Sequence, residues 1–301
     1  MPTPEDIVVS AGPWTATIRV LGGGLGDLRH GPRPVVEAAP PGEANPDAHG
    51  AVLVPWPNRL DHGRYSFDGT EHQVPIDEPR LDNAIHGLGR HRTWEVIHAE
   101  AAAATVRLLL GEDPGYPFPV EITVAYRLDD DGLAVTTTAR NLGTTACPYG
   151  AGHHPYLAPG TAHIDGATVQ IGADTLITTD DRQLPVGHQP VAGTACDLRE
   201  PTLLGSRQID HGFTDLHRDA EGRAWARLTG NDGRTVGLWV DQGYPVLQVY
   251  TADHAHLPEQ RRSALAVEPM TCPANAFRTG DHLLMIPPGA STTARWGLTL
   301  T

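Results

Sequence analysis

Five side chains carry the chemistry that this sequence offers: Arg59, His86, His154, Asp210 and Glu268. Together they supply a carboxylate able to accept a proton, imidazoles able to donate one, and charged groups able to hold hydroxyls. That is the equipment for moving protons on a polyhydroxylated small molecule. Each has a plainer explanation when taken alone. Arg59 and Asp210 suit a surface ion pair, which contributes little. His86 suits a turn residue bonded to a backbone carbonyl. His153 and His154 are two of 16 histidines, and their stretch by itself slightly favours a surface position. Glu268, between Val267 and Pro269, is harder to dismiss, because a buried carboxylate needs partners.

A metal reading rests on Asp253-His254-Ala255-His256-Leu257-Pro258-Glu259, a His-x-His with a nearby carboxylate. The carboxylate follows too closely for a β-barrel metal site, and the Arg261-Arg262 run beyond it has the character of solvated loop. No His-Glu-x-x-His and no Gly-x-Ser-x-Gly occurs. The expectation is therefore no metal and no cofactor. All 22 basic residues are arginine, which removes Schiff-base chemistry and a phosphate-loop lysine. A formal net charge of -14 argues against nucleic acid or anionic membrane as a partner.

The elements that must position these groups are short and extended. Trp14 to Val20 alternates apolar and polar residues and ends in Gly22-Gly23-Gly24, a strand and turn rather than a dinucleotide fingerprint, since no helical pattern follows. Residues 30 to 50 are rich in Pro, Gly and Ala and suit a loop. Ala51 to Val54 is an apolar strand closed by Pro55-Trp56-Pro57, which places Asn58 and Arg59 on a loop at a strand end. Asp68-Gly69 marks a hairpin turn. Asn83 to Arg90 is a glycine-punctuated loop carrying His86. Further strands are expected at Trp94 to Ile97, Val106 to Leu110, Val120 to Leu128, Leu133 to Ala139, Ala167 to Ile171, Ala224 to Leu228, Thr235 to Val240, Val246 to Tyr250 and Ala294 to Leu300. The alanines at 101 to 104 are the best helical candidate. Beside Gly150-Ala151-Gly152, Pro155 pushes His154 toward extended backbone, so that the rings of His153 and His154 point opposite ways.

Many short strands with regular turn signals predict an all-β sandwich or barrel. At 301 residues, and with no linker or repeat, the expectation is one domain spanning 1–301. Cys147, Cys196 and Cys272 are odd in number and widely spaced. They suit reduced thiols, and with no basic-then-apolar leader at Met1 to Asp6 and no membrane-length apolar run, the expected location is the cytoplasm.

In chain order, Asn58-Arg59, Asn83-Ala84-Ile85-His86-Gly87, His154-Pro155-Tyr156, Asp210-His211-Gly212-Phe213 and Glu268-Pro269 with Pro273 and Asn275 resemble the aldose 1-epimerase (galactose mutarotase) family, from about Leu53 to the C-terminus. No single motif is strong; five in order are fairly specific. The resemblance implies a large β-sandwich with an open sugar cleft. It implies Glu268 as general base and His154 as general acid, with His86 near the ring oxygen. It also implies that Arg59 and Asp210, with Asn58 beside them, hold sugar hydroxyls. The partner it implies is a small-molecule aldose, in a monomer or homodimer. Three departures put the sugar in question: His153 where asparagine is usual, Leu157-Ala158 where Phe-Asn is usual, and the Pro55-Trp56-Pro57 of a divergent branch.

The residue types suit anomer exchange. A base removes the C1 hydroxyl proton while an acid protonates the ring oxygen; the ring opens, the C1–C2 bond rotates, and the ring recloses on the other face. Ordinary values near ~4.3 for glutamate and ~6.5 for histidine imply that modest tuning suffices. Two rivals remain. A hexose-6-phosphate epimerase would need a basic cluster, for which Arg90 and Arg92 are the local candidates. A sugar-binding protein without turnover would have no need of both His154 and Glu268.

Overall fold

The computed structural model describes residues 6–39 and 47–301. The reading of Met1 to Asp6 as lacking a leader falls, but for Asp6, outside the described residues, as does part of the loop expected over 30 to 50. Strand accounts for 51% of the structure and helix for 4%, well under the third that is usual in globular domains.

Two large antiparallel sheets face each other. The nine-stranded sheet runs, in spatial order, Glu95–Glu100, Ala103–Leu110, Val120–Asp129, Gly132–Asn141, Ser291–Leu300, Thr235–Val240, Ala224–Thr229, Thr168–Ile171 and Thr202–Leu203. The other sheet runs Pro185–Pro190, Ala173–Thr179, Asp210–Leu216, Val246–Tyr250, Leu265–Met270, Gly152–His153 and Val52–Leu53, with Tyr156–Leu157 also paired to Leu265–Met270. Alternation decides which side chains face inward. Ile122, Val124 and Tyr126 from the first sheet join Phe213, Leu247, Val249, Leu265 and Val267 from the second in one continuous buried core.

The same alternation turns Asp210, Gln248 and Glu268 outward, onto the face of the second sheet that points away from its partner. Register carries them there: Gln248 pairs with Glu268 and Asp210 with Tyr250. Leu265–Met270 is a central strand, where proline is rare because its missing N–H breaks the ladder. Pro269 fits because the neighbouring strand is interrupted. Gly152 pairs with Met270 and Tyr156 with Ala266, and only the Val267 N–H reaches across between them, to the Pro155 carbonyl at 3.2 Å. The absent N–H of Pro269 falls in that gap, and the gap is where His154 sits.

Several expectations change. The alanines at 101 to 104 form a turn and the start of a strand, not a helix; one four-residue α-helix, Ala276–Thr279, is present among the described residues. Alanine favours helix only where neighbours permit it, and here Ala103 and Ala104 are already paired with Arg127 and Tyr126. Arg59 opens a short strand, Arg59–Asp61, paired with Asn83–Ile85, so neither segment is the loop its glycines and prolines indicate. The Asp68-Gly69 turn holds, with both residues at positive φ (48° and 75°) as a two-residue hairpin requires. Among the described residues no helix is long and apolar enough to cross a membrane.

Candidate active site

On the outward face of the second sheet lies a cleft of about 280 Å³. Asn58, Arg59, His86, His154, Asp210 and Glu268 all line it. At its centre His154 Nε2 lies 3.3 Å from Glu268 Oε1, with both side chains almost fully buried. The His86 ring stands edge-on to His154, centroids 5.2 Å apart. His153 turns the other way, into the core, where its Nε2 bonds the Thr137 hydroxyl at 2.7 Å beside Trp296 and Tyr244.

Each group is held by backbone constraints visible in the sequence. His86 and Gly87 both have positive φ (62° and 67°). A Cβ on Gly87 would come within 2.2 Å of the Val54 carbonyl oxygen, so only glycine lets this loop close onto the 52–54 strand. Asn58 and His86 clasp each other: the His86 N–H donates to the Asn58 carbonyl at 2.9 Å, and the Asn58 N–H donates to His86 Nδ1 at 3.2 Å. Because Nδ1 accepts, the His86 proton resides on Nε2, leaving this ring as a neutral donor. Arg59 is gripped by Glu78 through two bonds of 2.9 Å each. Burial works against its charge, but Glu78, Asp210 and Glu268 together raise its pKa. Asp210 is held by Gln248, whose amide donates to it at 2.7 Å.

Burial in this site has opposite effects on the central pair. Desolvation, reinforced by Asp210 and opposed by Arg59, pushes the Glu268 carboxyl well above the usual carboxylate range. Desolvation, reinforced by His49 and Arg90, pushes His154 down to about 3. His86 is likewise driven well below the ordinary histidine value, first by burial and then by His154. The expectation of modest tuning was therefore wrong. Taking either charge out of water is costly, so both groups retreat to their neutral forms. The two lie in contact at 3.3 Å, and burial opposes the charged form of each. Adjacent groups with opposed shifts mark an acid–base site.

A metal was weighed against this cluster. One ligand atom each from His86, His154 and Glu268 lie within 4.8 Å of one another, an outline a divalent cation could use. The tautomer of His86 opposes it, since its remaining nitrogen carries a proton. In the Asp253 to Glu259 stretch, Asp253 bonds Arg262 and Thr251, and the His256 N–H bonds Asp47.

Sequence reasoning missed several lining groups, among them Glu78, Gln183, Tyr250 and Gln248's hold on Asp210. Gln248 had a readable signal, as a single polar residue inside the apolar run Val246 to Tyr250. Glu78 had none, because its role depends on the pairing of Arg59 with Ile85.

Comparison with known proteins places the chain in a family. The sequence profile described as aldose 1-epimerase matches residues 6–299. The chain is 33% identical over 288 residues to the YihR protein of Escherichia coli K12, covering 95% of this chain and 90% of that one. It is 31% identical over 219 residues to galactose mutarotase of Rattus norvegicus, covering 68% of this chain and 62% of the mutarotase. Among solved structures, an aldose epimerase homologue from C. elegans superposes with a TM-score of 0.88 at 18% identity, covering 99% of this chain and 98% of the other. A putative aldose 1-epimerase from Escherichia coli K12 gives 0.85 at 20% identity, covering 99% of each chain. At such identity the superpositions speak for the fold alone.

Proposed function

Because the chain belongs to the aldose 1-epimerase family, an isomerase family, we propose that it interconverts the anomers of a free, uncharged aldose, with Glu268 as base and His154 as acid. The observation that carries this reading is the buried Glu268–His154 contact of 3.3 Å, set in a cleft between an arginine and an aspartate fit to hold hydroxyls. In the empty site burial favours the form with the proton on Glu268. A sugar whose C1 hydroxyl and ring oxygen replace lost water favours transfer of that proton to His154, and Arg59 favours the resulting carboxylate. Glu268 then takes the C1 hydroxyl proton while His154 protonates the ring oxygen, and the C1–O bond to the ring opens. After rotation about C1–C2 the two reverse roles, His154 taking the proton of the freed hydroxyl while Glu268 protonates the carbonyl oxygen, and transfer of the proton from His154 back to Glu268 restores the empty site. The His86 Nε2–H supports the ring oxygen as charge builds there.

The electrostatics favour a neutral sugar over a phosphate ester. Arg90 is buried against Asp77 at 2.8 Å, and Arg92 is paired with Asp113, so neither is left for a phosphoryl group. Asp47, Asp77, Glu78 and Asp210 line the cleft against Arg59, Arg80 and Arg90, a balance that disfavours an added dianion. The test is polarimetry of freshly dissolved α-anomers and their 6-phosphates, each with and without protein. Acceleration of a free aldose with weaker action on its phosphate is expected. Preference for phosphates would overturn the substrate class, and binding without acceleration of any aldose would overturn turnover itself.

A further inference from the structure

His154 must keep its ring within about 0.5 Å and 10–20° of the productive geometry. Hydrogen bonds alone do not secure that. Its Nε2 meets Glu268, while its Nδ1 has no partner among the described residues. In most such sites the second nitrogen is tied to a carboxylate or carbonyl, which fixes the ring. Here orientation has to come from what the ring packs against.

It packs against Tyr156, stacked at 4.9 Å and 20°. His154 and Tyr156 are two apart on extended backbone and so share a face. Tyr156 is itself held on every side. Its hydroxyl donates to the Asp47 carbonyl at 3.1 Å, its own carbonyl accepts from the Glu37 N–H at 2.8 Å, and it pairs with Ala266 in the sheet. His49 lies flat on its ring, 3.7 Å between centroids and 9° between planes. The His49 ring is buried in turn and anchored by Glu37, with Nε2 to Oε2 at 2.8 Å. The same short segment grips the backbone of His154: the Gly50 N–H donates to the His154 carbonyl at 2.9 Å, and the His154 N–H donates to Ala51 at 3.2 Å. Glu37 thus touches this array through both its backbone and its side chain.

We propose that His49 is a positioning residue: Glu37 fixes its imidazole, the imidazole fixes the Tyr156 ring, and Tyr156 fixes the ring of His154. The proposal rests on His154 acting as the acid. Its chemistry is stacking, not proton transfer. A stacked plane of the right size is therefore the requirement, and the Glu37 bond keeps that plane from sliding.

The test compares His49→Ala, His49→Phe and Glu37→Leu for kcat, KM and the imidazole 15N shifts of His154. A displacement near 1 Å costs up to about 10²-fold in rate. His49→Ala should therefore lose about 10- to 100-fold in kcat with KM changed by less than about threefold. His49→Phe, which restores a flat ring, should recover to within about fivefold of wild type. Glu37→Leu should fall between them, and it supplies the measurement if His49→Ala does not fold. Leu228→Ala, in the core of the other sheet, serves as a control for lost stability and should keep its kcat per folded molecule. The idea is overturned if His49→Ala keeps wild-type kcat with the His154 shifts unmoved, if His49→Phe is no better than alanine, if KM alone rises, or if the Leu228→Ala control loses as much. The 15N shifts separate this proposal from the assignment of the acid. Shifts that move in His49→Ala while kcat stays level would mean that His49 positions His154 but that His154 is not the acid. Shifts that stay put would end the positioning role outright.

Discussion

Glu268→Gln is the substitution on which the mechanism turns. It preserves size and much of the hydrogen bonding but removes the site's exchangeable proton. Burial holds the wild-type carboxyl well above its usual range and His154 down to about 3, so burial favours placing that proton on Glu268. Without it, the site has a neutral imidazole and nothing to exchange with it. A positioned acid or base contributes about 10²–10⁴ in rate, or about 3–5 kcal/mol of barrier. The loss here should fall in the upper part of that range, because one change disables both partners. Sugar affinity should move by less than about threefold, since Arg59, Asp210 and the cleft walls stay in place; a fall in kcat without a change in KM is the mark of an interaction made only in the transition state. The pH profile provides a second signature. The active form carries one proton on the pair, so wild-type activity declines as pH falls toward the depressed value of His154 and as it rises through the raised value of Glu268. The alkaline limb thus reports the carboxyl, the reverse of what unperturbed values imply, and it should vanish in Glu268→Gln. Polarimetry of a fresh α-aldose at neutral pH reads the rate, and a series up to about pH 10 reads the alkaline limb. A mutant within about tenfold of wild type, or one that keeps the alkaline limb, would refute the assignment.

Two further outcomes follow from the same interior. Arg59→Lys exchanges a fork held by two 2.9 Å bonds to Glu78 for a single point charge. Sugar affinity should weaken about tenfold, the worth of one hydrogen bond to a charged group, with kcat less affected; calorimetric titration showing unchanged affinity would remove Arg59 from the binding role. Burial lowers His153 to about 3 from 6.5, so the unfolded chain binds a proton there that the folded chain does not. Its contribution is present in full above about pH 6.5 and is lost as pH falls toward 3. His153→Asn should therefore flatten the dependence of unfolding free energy on pH in that window by about 1.4 kcal/mol per pH unit. An unchanged slope in urea titrations between pH 4 and 6 would show that His153 does not titrate with unfolding.

The fold was legible because it is written in local signals. Alternation in Val120 to Leu128 and a turn at Asp68-Gly69 need no knowledge of distant residues. The alanines at 101 to 104 were misread because helix preference is a weak local term, and pairing with Arg127 and Tyr126 overrides it. The strand Leu265–Met270 was invisible for the opposite reason. Being buried on both faces it has no alternation, and its proline argues against a central strand until the gap at Pro155 is known. At the site, residue types were readable and energies were not. Nothing local in Ala266 to Met270 reveals that Glu268 sits where both it and His154 lose their water.

That desolvation explains why the pair stands where the ladder is broken. A continuous strand opposite Val267 to Pro269 would point neighbouring side chains alternately up and down with every N–H and carbonyl engaged, leaving no room for an imidazole at the level of the sheet. Proline on one strand and the His153-His154-Pro155 interruption on the other remove those bonds from both sides at once, so neither strand is left with a buried donor that lacks a partner. His154 can then settle 3.3 Å from Glu268, behind the surface instead of standing on it. There burial favours the neutral form of each, and in the proposed mechanism a single proton held between them is handed to a sugar and taken back without building net charge in a dry site. A histidine and a glutamate standing on the same sheet in solvent would each keep its ordinary charge and pair as a salt bridge. Such a bridge holds its proton on the imidazole and must give up its attraction before either partner can act. In the proposed mechanism, the broken ladder is what makes a proton-exchanging pair of two common side chains.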